Sequence, residues 1–234
     1  MARGVLVTGA AAGIGAATAD LFLADGHGVT GADLAAPAPR ADERFLPLQL
    51  DPTSADSQRD MVEAAVEHAG RLDVVVTHAF VGSTTPLADL TLEEWNRVIG
   101  INLRGAMLTI KTALPHLRSG AAIVVTSSIA GRRYSSVMGP HYTVARYGLI
   151  GLTRHLAEEL AGSGIRINAV CPGPPDTPQM WEVTTDEQRR EIAARTPTRR
   201  LAAPDDVAET IAFLAGSGAR HMHGAVVDVN GGLH

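Results

Sequence analysis

Two groups of residues in this chain have types and spacings suited to chemistry. The first is Gly4-Val5-Leu6-Val7-Thr8-Gly9-Ala10-Ala11-Ala12-Gly13-Ile14-Gly15, an apolar run that breaks into three glycines and then into an alanine-rich helical pattern. It reads as strand, phosphate-cradling turn and helix. One glycine turns the chain sharply, one lets backbone approach a pyrophosphate, and one lets the helix pack on the sheet. The N–H groups of that helix's first turn face an anion, which the backbone donors and the helix dipole both favour. A second apolar strand ends in Asp33, near the spacing of about 20 residues at which a carboxylate accepts the hydroxyls of an adenosine ribose. The alternative is that Asp33 only opens a polar loop. The second group is Ser128, Tyr142 fourteen residues later at the start of a helical pattern, and Arg146 one turn further on the same face.

The elements that must position these residues follow from periodicity. Apolar runs at 5–8, 29–33, 45–51, 72–79, 122–128, 165–171 and 225–230 have strand length and alternate with segments of helical period. Seven strands interleaved with helices predict an α/β fold, a Rossmann-type, doubly wound parallel sheet with helices on both faces. In such sheets ligands sit beyond the carboxyl ends of the strands, where Gly9, Asp33, Ser128 and Pro172 fall. Thr91-Leu92-Glu93-Glu94 reads as a capping box opening one long helix to Leu117, and 141–161 reads as the next helix. Residues 35–44 form a proline-containing loop. The long excursion at 172–204 holds a short helix at 186–195 and reads as a substrate lid at about 174–203.

A chain of 234 residues with 45% hydrophobic content suffices for one large core, so a single domain over 1–234 is expected. Twenty Lys and Arg against 25 Asp and Glu give a net charge of -5 with no extended basic block, which argues against nucleic-acid binding. No apolar run approaches the roughly 20 residues of a membrane span. Cys171 is the single cysteine and cannot form an internal disulfide, and no leader pattern precedes the first strand; a cytoplasmic protein is the expectation.

With these pieces in place the chain resembles the classical short-chain dehydrogenase/reductase family over essentially its whole length. The resemblance is carried by the Thr8-Gly9 to Gly15 turn, Asp51 after the third strand, Asn102 in Ile101-Asn102-Leu103, and Ser128 with the Ile-Ala-Gly that follows. It continues in Tyr142, in Ile167-Asn168-Ala169-Val170-Cys171-Pro172-Gly173, in Thr177, and in Val229-Asn230-Gly231-Gly232. It implies hydride transfer between a nicotinamide cofactor and an alcohol or ketone, with Tyr142 as general acid or base. Ser128 would hold the substrate oxygen, and Asn102 would position a water in a proton relay. It also implies cofactor contacts from Thr8, Gly9, Gly13, Ile14, Gly15, Asp33, Leu34, Asp51, Ala79, Tyr142, Arg146, Pro172, Gly173 and Thr177, and a homotetramer or homodimer built on the Tyr142 helix, where Gly148 and Gly151 offer close contact. Asp33 would repel a 2′-phosphate, and Ala12 and Leu34 supply no cation to hold one, so NAD(H) is favoured over NADP(H), with Arg40 placed to bend in from its loop.

Two positions depart from the family pattern. Arg146 stands where the family has lysine; it keeps the positive charge that tunes a phenol but cannot pass on a proton. Thr77-His78-Ala79-Phe80 stands where the family has Asn-Asn-Ala-Gly, so Phe80 is expected to turn into the core or crowd the cofactor groove. These departures keep two alternatives open: a non-redox cyclase, lyase or isomerase on the same fold, and a catalytically silent dinucleotide-binding protein. No metal site is expected, because His221, Met222 and His223 lack a nearby carboxylate or cysteine partner and read as a solvated loop. Trp181 and Met180 either face an apolar substrate or staple the excursion to the body.

Overall fold

In the computed structural model, which describes residues 2–233, seven parallel strands form one sheet in the order β3-β2-β1-β4-β5-β6-β7. They are β1 Gly4–Thr8, β2 Gly28–Asp33, β3 Phe45–Gln49, β4 Val74–Thr77, β5 Ala122–Thr126, β6 Arg166–Pro172 and β7 Val226–Val229. Alternation along the central strands sends side chains to two separate cores. Val5, Val7, Val74, Val76 and Val124 pack with Ile14, Ala19 and Phe22 of α1 (Gly13–Ala24) and with Val207, Ile211 and Leu214 of α8 (Pro204–Ala215). On the other face Leu6, Val75, Ile123, Val125 and Ile167 meet α2 (Ala55–Ala69), α4 (Ala106–Ala113) and α5 (Pro140–Glu159) through Met61, Val62, Ile110 and Leu149. Helices cover both faces, as the interleaved pattern predicts.

The strand order reverses at β1, which lies between β2 and β4. Loops from β1 and β4 therefore leave in different directions and open a crevice at the carboxyl edge. Thr8 fixes that edge. Its hydroxyl accepts the N–H groups of His78 at 3.1 Å and Ala79 at 3.3 Å, tying the end of β1 to the chain leaving β4.

The long helix expected after Thr91 is divided. Thr91 caps α3 (Leu92–Ile99), accepting from the Glu94 N–H at 3.1 Å, but the Glu94 carboxylate is occupied by the hydroxyls of Ser83 and Thr85, so only half of the capping box forms. A wider π-helical turn at Gly100–Gly105 then precedes α4. Asn102 lies in that turn, and its side-chain amide donates to the Val98 carbonyl at 2.9 Å. A side chain here takes up a backbone acceptor that the wide turn would leave free. The excursion after β6 contains α6 (Pro178–Glu182) and α7 (Asp186–Arg195), and its two ends are joined to each other by an isolated parallel bridge between Pro175 and Ala202.

Candidate active site

The glycine turn is dictated by close approach. Gly9 has φ +75°, and a Cβ there would lie 2.7 Å from the Ala79 nitrogen. At Gly15 a Cβ would lie 1.9 Å from the Gly9 carbonyl oxygen, so only glycine lets α1 begin so close to β1. Ala12 at the N-cap makes no side-chain cap, which leaves the first-turn N–H groups around Gly13, Ile14 and Gly15 directed at the crevice without a capping side chain. Thr177 of the excursion sits over this turn: its Cγ2 would lie 2.9 Å from a Cβ on Gly13.

Asp33 ends β2, and its carboxylate accepts from the Ala11 N–H at 3.0 Å and the Leu34 N–H at 2.7 Å. It is thus part of the turn's own architecture and keeps lone pairs for further donors. Leu34 is 45% exposed beside it. Arg40 does not bend towards Asp33: it pairs with Asp20, and its guanidinium carbon lies 3.9 Å from the Phe45 ring centre. Asp51 accepts from the Thr53 N–H at 2.8 Å and hydroxyl at 2.7 Å, bonds that hold its carboxyl below the usual carboxylate range. Ala79 is half-buried beside Gly9. Pro172 ends β6, and the Gly173 N–H donates to the Val229 carbonyl at 2.9 Å.

Across the crevice the second group assembles. Ser128 caps a single helical turn after β5, its hydroxyl accepting from the Ala130 N–H at 3.1 Å. Ser128 and Tyr142 line one cavity of about 110 Å³ together with Phe80, Ile129, Val137, Met138, Pro174 and Met180. Met180 is buried and faces this cavity, whereas Trp181 is half-exposed and bonded through its indole N–H to Asp176 at 2.7 Å. Met180 thus faces the apolar cavity, whereas the Trp181 bond stays within the excursion, since Asp176 belongs to it, and does not staple it to the body.

Arg146 lies behind Tyr142, 3% exposed. It donates to the Thr126 carbonyl at 2.8 Å and to the Asn102 side-chain oxygen at 3.0 Å. Asn102 in turn donates to the Val81 and Val98 carbonyls, both at 2.9 Å, so its amide is engaged at both ends. Phe80 does not pack into the core. It is half-buried, lines the cavity, and has Arg146 at 5.3 Å from its ring centre. This contact links residues remote in sequence, and no pattern along the chain signals it.

His78 is buried, and burial, with a further contribution from the Arg146 charge, pushes its imidazole down to about 3. It is neutral across the physiological range. His141 is fully buried on α5, 3.9 Å from Glu94, and burial pushes it below the ordinary histidine range despite that carboxylate. His223 contacts the Ala157 carbonyl at 2.6 Å and takes the Ile167 N–H at 3.2 Å, a structural use. Among the described residues no cluster of His, Cys, Asp and Glu could hold a metal ion. None of the helices among them is long and apolar enough to cross a membrane.

Residues 9–234 match the family described as enoyl-(acyl carrier protein) reductase. Cis-4-hydroxycyclohexanecarboxylate dehydrogenase of Sinomonas cyclohexanicum is 42% identical over 98% of this chain and 96% of its own. A short-chain dehydrogenase/reductase structure from Brucella melitensis superimposes with a TM-score of 0.92 at 33% identity, covering 99% and 96% of the two chains. The chain belongs to the short-chain dehydrogenase/reductase family. It is an oxidoreductase of that family acting on CH–OH groups, the chemistry for which its hydroxycyclohexanecarboxylate dehydrogenase relative is named. A 3-ketoacyl-(acyl-carrier-protein) reductase from Brucella melitensis, solved with NADH, has a TM-score of 0.89 at 27% identity over 98% and 97% of the two chains. The fold that holds a nicotinamide dinucleotide there is the fold of this protein.

Proposed function

We propose that this enzyme interconverts a small or medium-sized secondary alcohol and its ketone with NAD(H). The observation that carries the reading is the meeting of Ser128 and Tyr142 in one largely apolar cavity, with the buried Arg146 charge behind Tyr142. The glycine turn fits the cofactor: it is shaped by contacts a Cβ would break, and its first-turn N–H groups lack a capping side chain. Gly13, Ile14 and Gly15 would hold the pyrophosphate, with Thr8, Gly9 and Ala79 shaping the turn around it. Asp33 and Leu34 would hold the adenosine ribose, Asp51 would flank the adenosine end, and Pro172, Gly173 and Thr177 would cover the nicotinamide half. When bound, the nicotinamide accepts or donates the hydride. Ser128 would hold the substrate oxygen by its hydroxyl while the Tyr142 hydroxyl takes or returns the proton there. Arg146 would stabilise the charged phenol without itself moving a proton, since a guanidinium does not deprotonate in proteins.

Residues 174–203 would close over the site as a lid on the single domain. An alicyclic or similarly compact body suits the apolar walls, consistent with the cyclohexane substrate in the name of the 42% identical relative. The protein would act as a homodimer or homotetramer through α5, where Val144 and Tyr147 are 46% and 47% exposed and a Cβ on Gly151 would meet nothing within 4 Å. A Cβ on Gly148 would lie 2.7 Å from the Leu103 side chain, so that glycine also serves close packing within the chain.

A non-redox reaction on the same residues is the second reading, favoured by the engagement of both Arg146 amino groups with Thr126 and Asn102. Following NAD reduction by absorbance across secondary alcohols separates the two. Tyr142→Phe is expected to lower kcat about 10²-fold or more while leaving NADH affinity, read by fluorescence, within about threefold. Turnover that survives this change removes Tyr142 as the acid or base, and a wild-type protein that binds NADH yet turns over no alcohol or ketone favours the second reading.

A further inference from the structure

Phe80 and Arg146, the two departures from the family pattern, are in contact. The guanidinium carbon of Arg146 lies 5.3 Å from the Phe80 ring centre and 4.7 Å from the Tyr142 ring centre. Its hydrogen bonds, to the Thr126 carbonyl and the Asn102 side-chain oxygen, go to neutral acceptors, and Nε has no hydrogen-bond partner. Burying a cation on such terms is costly unless something offsets the lost hydration. Two ring faces do so, since the negative face of an aromatic ring attracts a guanidinium most strongly where water is excluded. Phe80 is itself held in place. Its ring meets the neutral His78 ring edge-on, at 5.8 Å and 72°.

The rings and the hydrogen bonds constrain different motions. Thr126 and Asn102 fix the ends of the guanidinium fork, while contact with Phe80 and Tyr142 fixes how its plane lies. A lysine at 146 would bring a compact point charge that cannot span both acceptors and lie against both rings. A glycine at 80 would leave the guanidinium one ring short and open to water. Each departure is therefore unfavourable alone and workable with the other.

We propose that Phe80 is a positioning residue for proton transfer at Tyr142: it holds the Arg146 guanidinium against the Tyr142 ring and shields it from water, so that Phe80 and Arg146 function as a matched pair. The proposal rests on Tyr142 being the acid or base of the reaction proposed above. It makes Phe80 a determinant of rate and not of cofactor affinity.

The test combines one measurement that needs no turnover with one that does. In ¹⁵N-labelled, cofactor-free protein the Arg146 Nε–H signal is identified by its loss in Arg146→Lys. Packed against ring faces, that proton is expected upfield of the other arginine Nε–H signals and is expected to move downfield in Phe80→Leu, whose dispersed spectrum also verifies folding. In the same variant kcat is expected to fall about thirtyfold, the scale of one desolvated cation–ring contact, with NADH affinity unchanged and the pH profile of kcat displaced upward. Phe80→Tyr is expected to restore the signal, the rate and the profile. Phe80→Gly and Arg146→Lys are each expected to lose activity singly, and the double variant to exceed both. The proposal is overturned if Phe80→Leu leaves the Nε–H signal and the pH profile unmoved, or if the losses of the two single changes multiply in the double variant. Absence of any alcohol or ketone turnover in a wild-type protein with the upfield signal overturns the redox reading, and the response of that signal to Phe80→Leu then still decides whether the pair exists.

Discussion

Asp33 and His78 show how one residue's surroundings decide what it can do. The Asp33 carboxylate is fixed by the N–H groups of Ala11 and Leu34, and the nearest loop arginine, Arg40, is committed to Asp20 and Phe45. A 2′-phosphate beside Asp33 would thus meet a negative charge with no cation to offset it. Asp33→Asn keeps an acceptor for Leu34 or Ala11 and removes the charge; it is expected to reduce the preference for NADH over NADPH about tenfold in Kd, and an unchanged ratio would remove Asp33 as its source. His78 bears on stability instead. Folding lowers its pKa from 6.5 to about 3, chiefly by burial, so between those values the unfolded chain holds a proton that the folded protein refuses. Stability then rises with pH across that window and is lost as pH falls through it. His78→Asn is expected to flatten the slope of unfolding free energy between pH 5 and pH 6.5 by up to about 1.4 kcal/mol per pH unit, measured by urea titration. An unaltered slope would mean that His78 is protonated in the folded state.

At the scale of elements, the glycine turn, Asp33, Ser128 and Tyr142 were legible in the sequence because each sits where a strand ends or a helix starts, and those boundaries leave periodic signals. The division of the helix after Thr91 left no such signal. It depends on Asn102 reaching the carbonyls of Val98 and Val81 while accepting from Arg146, contacts made across three segments. The meeting of Phe80 with Arg146 was hidden for the same reason: it depends on side-chain direction after folding, whereas spacing records only which face of an element a residue occupies. Glu94 is a third instance, since its spacing suits a capping box and the fold gives its carboxylate to Ser83 and Thr85. Because Asn102 joins the π-helical turn to the buried cation, Asn102→Ala would leave an Arg146 donor and two carbonyls unpaired. It is expected to cost about 3 kcal/mol in urea unfolding and to lower kcat as well. A loss below about 1 kcal/mol would show that water or a shifted Arg146 replaces these bonds readily.

On the scale of the whole molecule, the strand ends place Thr8, Asp33, Ser128 and Gly173 along one carboxyl edge, and α5 connects that edge to the protein's outside. Its inner face carries Ala145, Arg146 and Leu149, all buried, while Val144 and Tyr147 on the same helix are nearly half-exposed. Association through this face would set α5 between a partner and the site, so the helix that presents Tyr142 and Arg146 would gain rigidity from assembly. Placing charge on the outer face tests this without touching the core, because both side chains already contact solvent in the single chain. A Val144→Glu/Tyr147→Glu variant would bury two unpaired carboxylates in each copy of such an interface, a penalty of several kcal/mol against association. In sedimentation the wild type is expected at twice or four times the 24.5 kDa chain mass and the variant at 24.5 kDa, with kcat reduced by the loosened helix. A variant that keeps the wild-type mass would move the interface elsewhere, and a monomeric wild type would detach the order of α5 from assembly altogether.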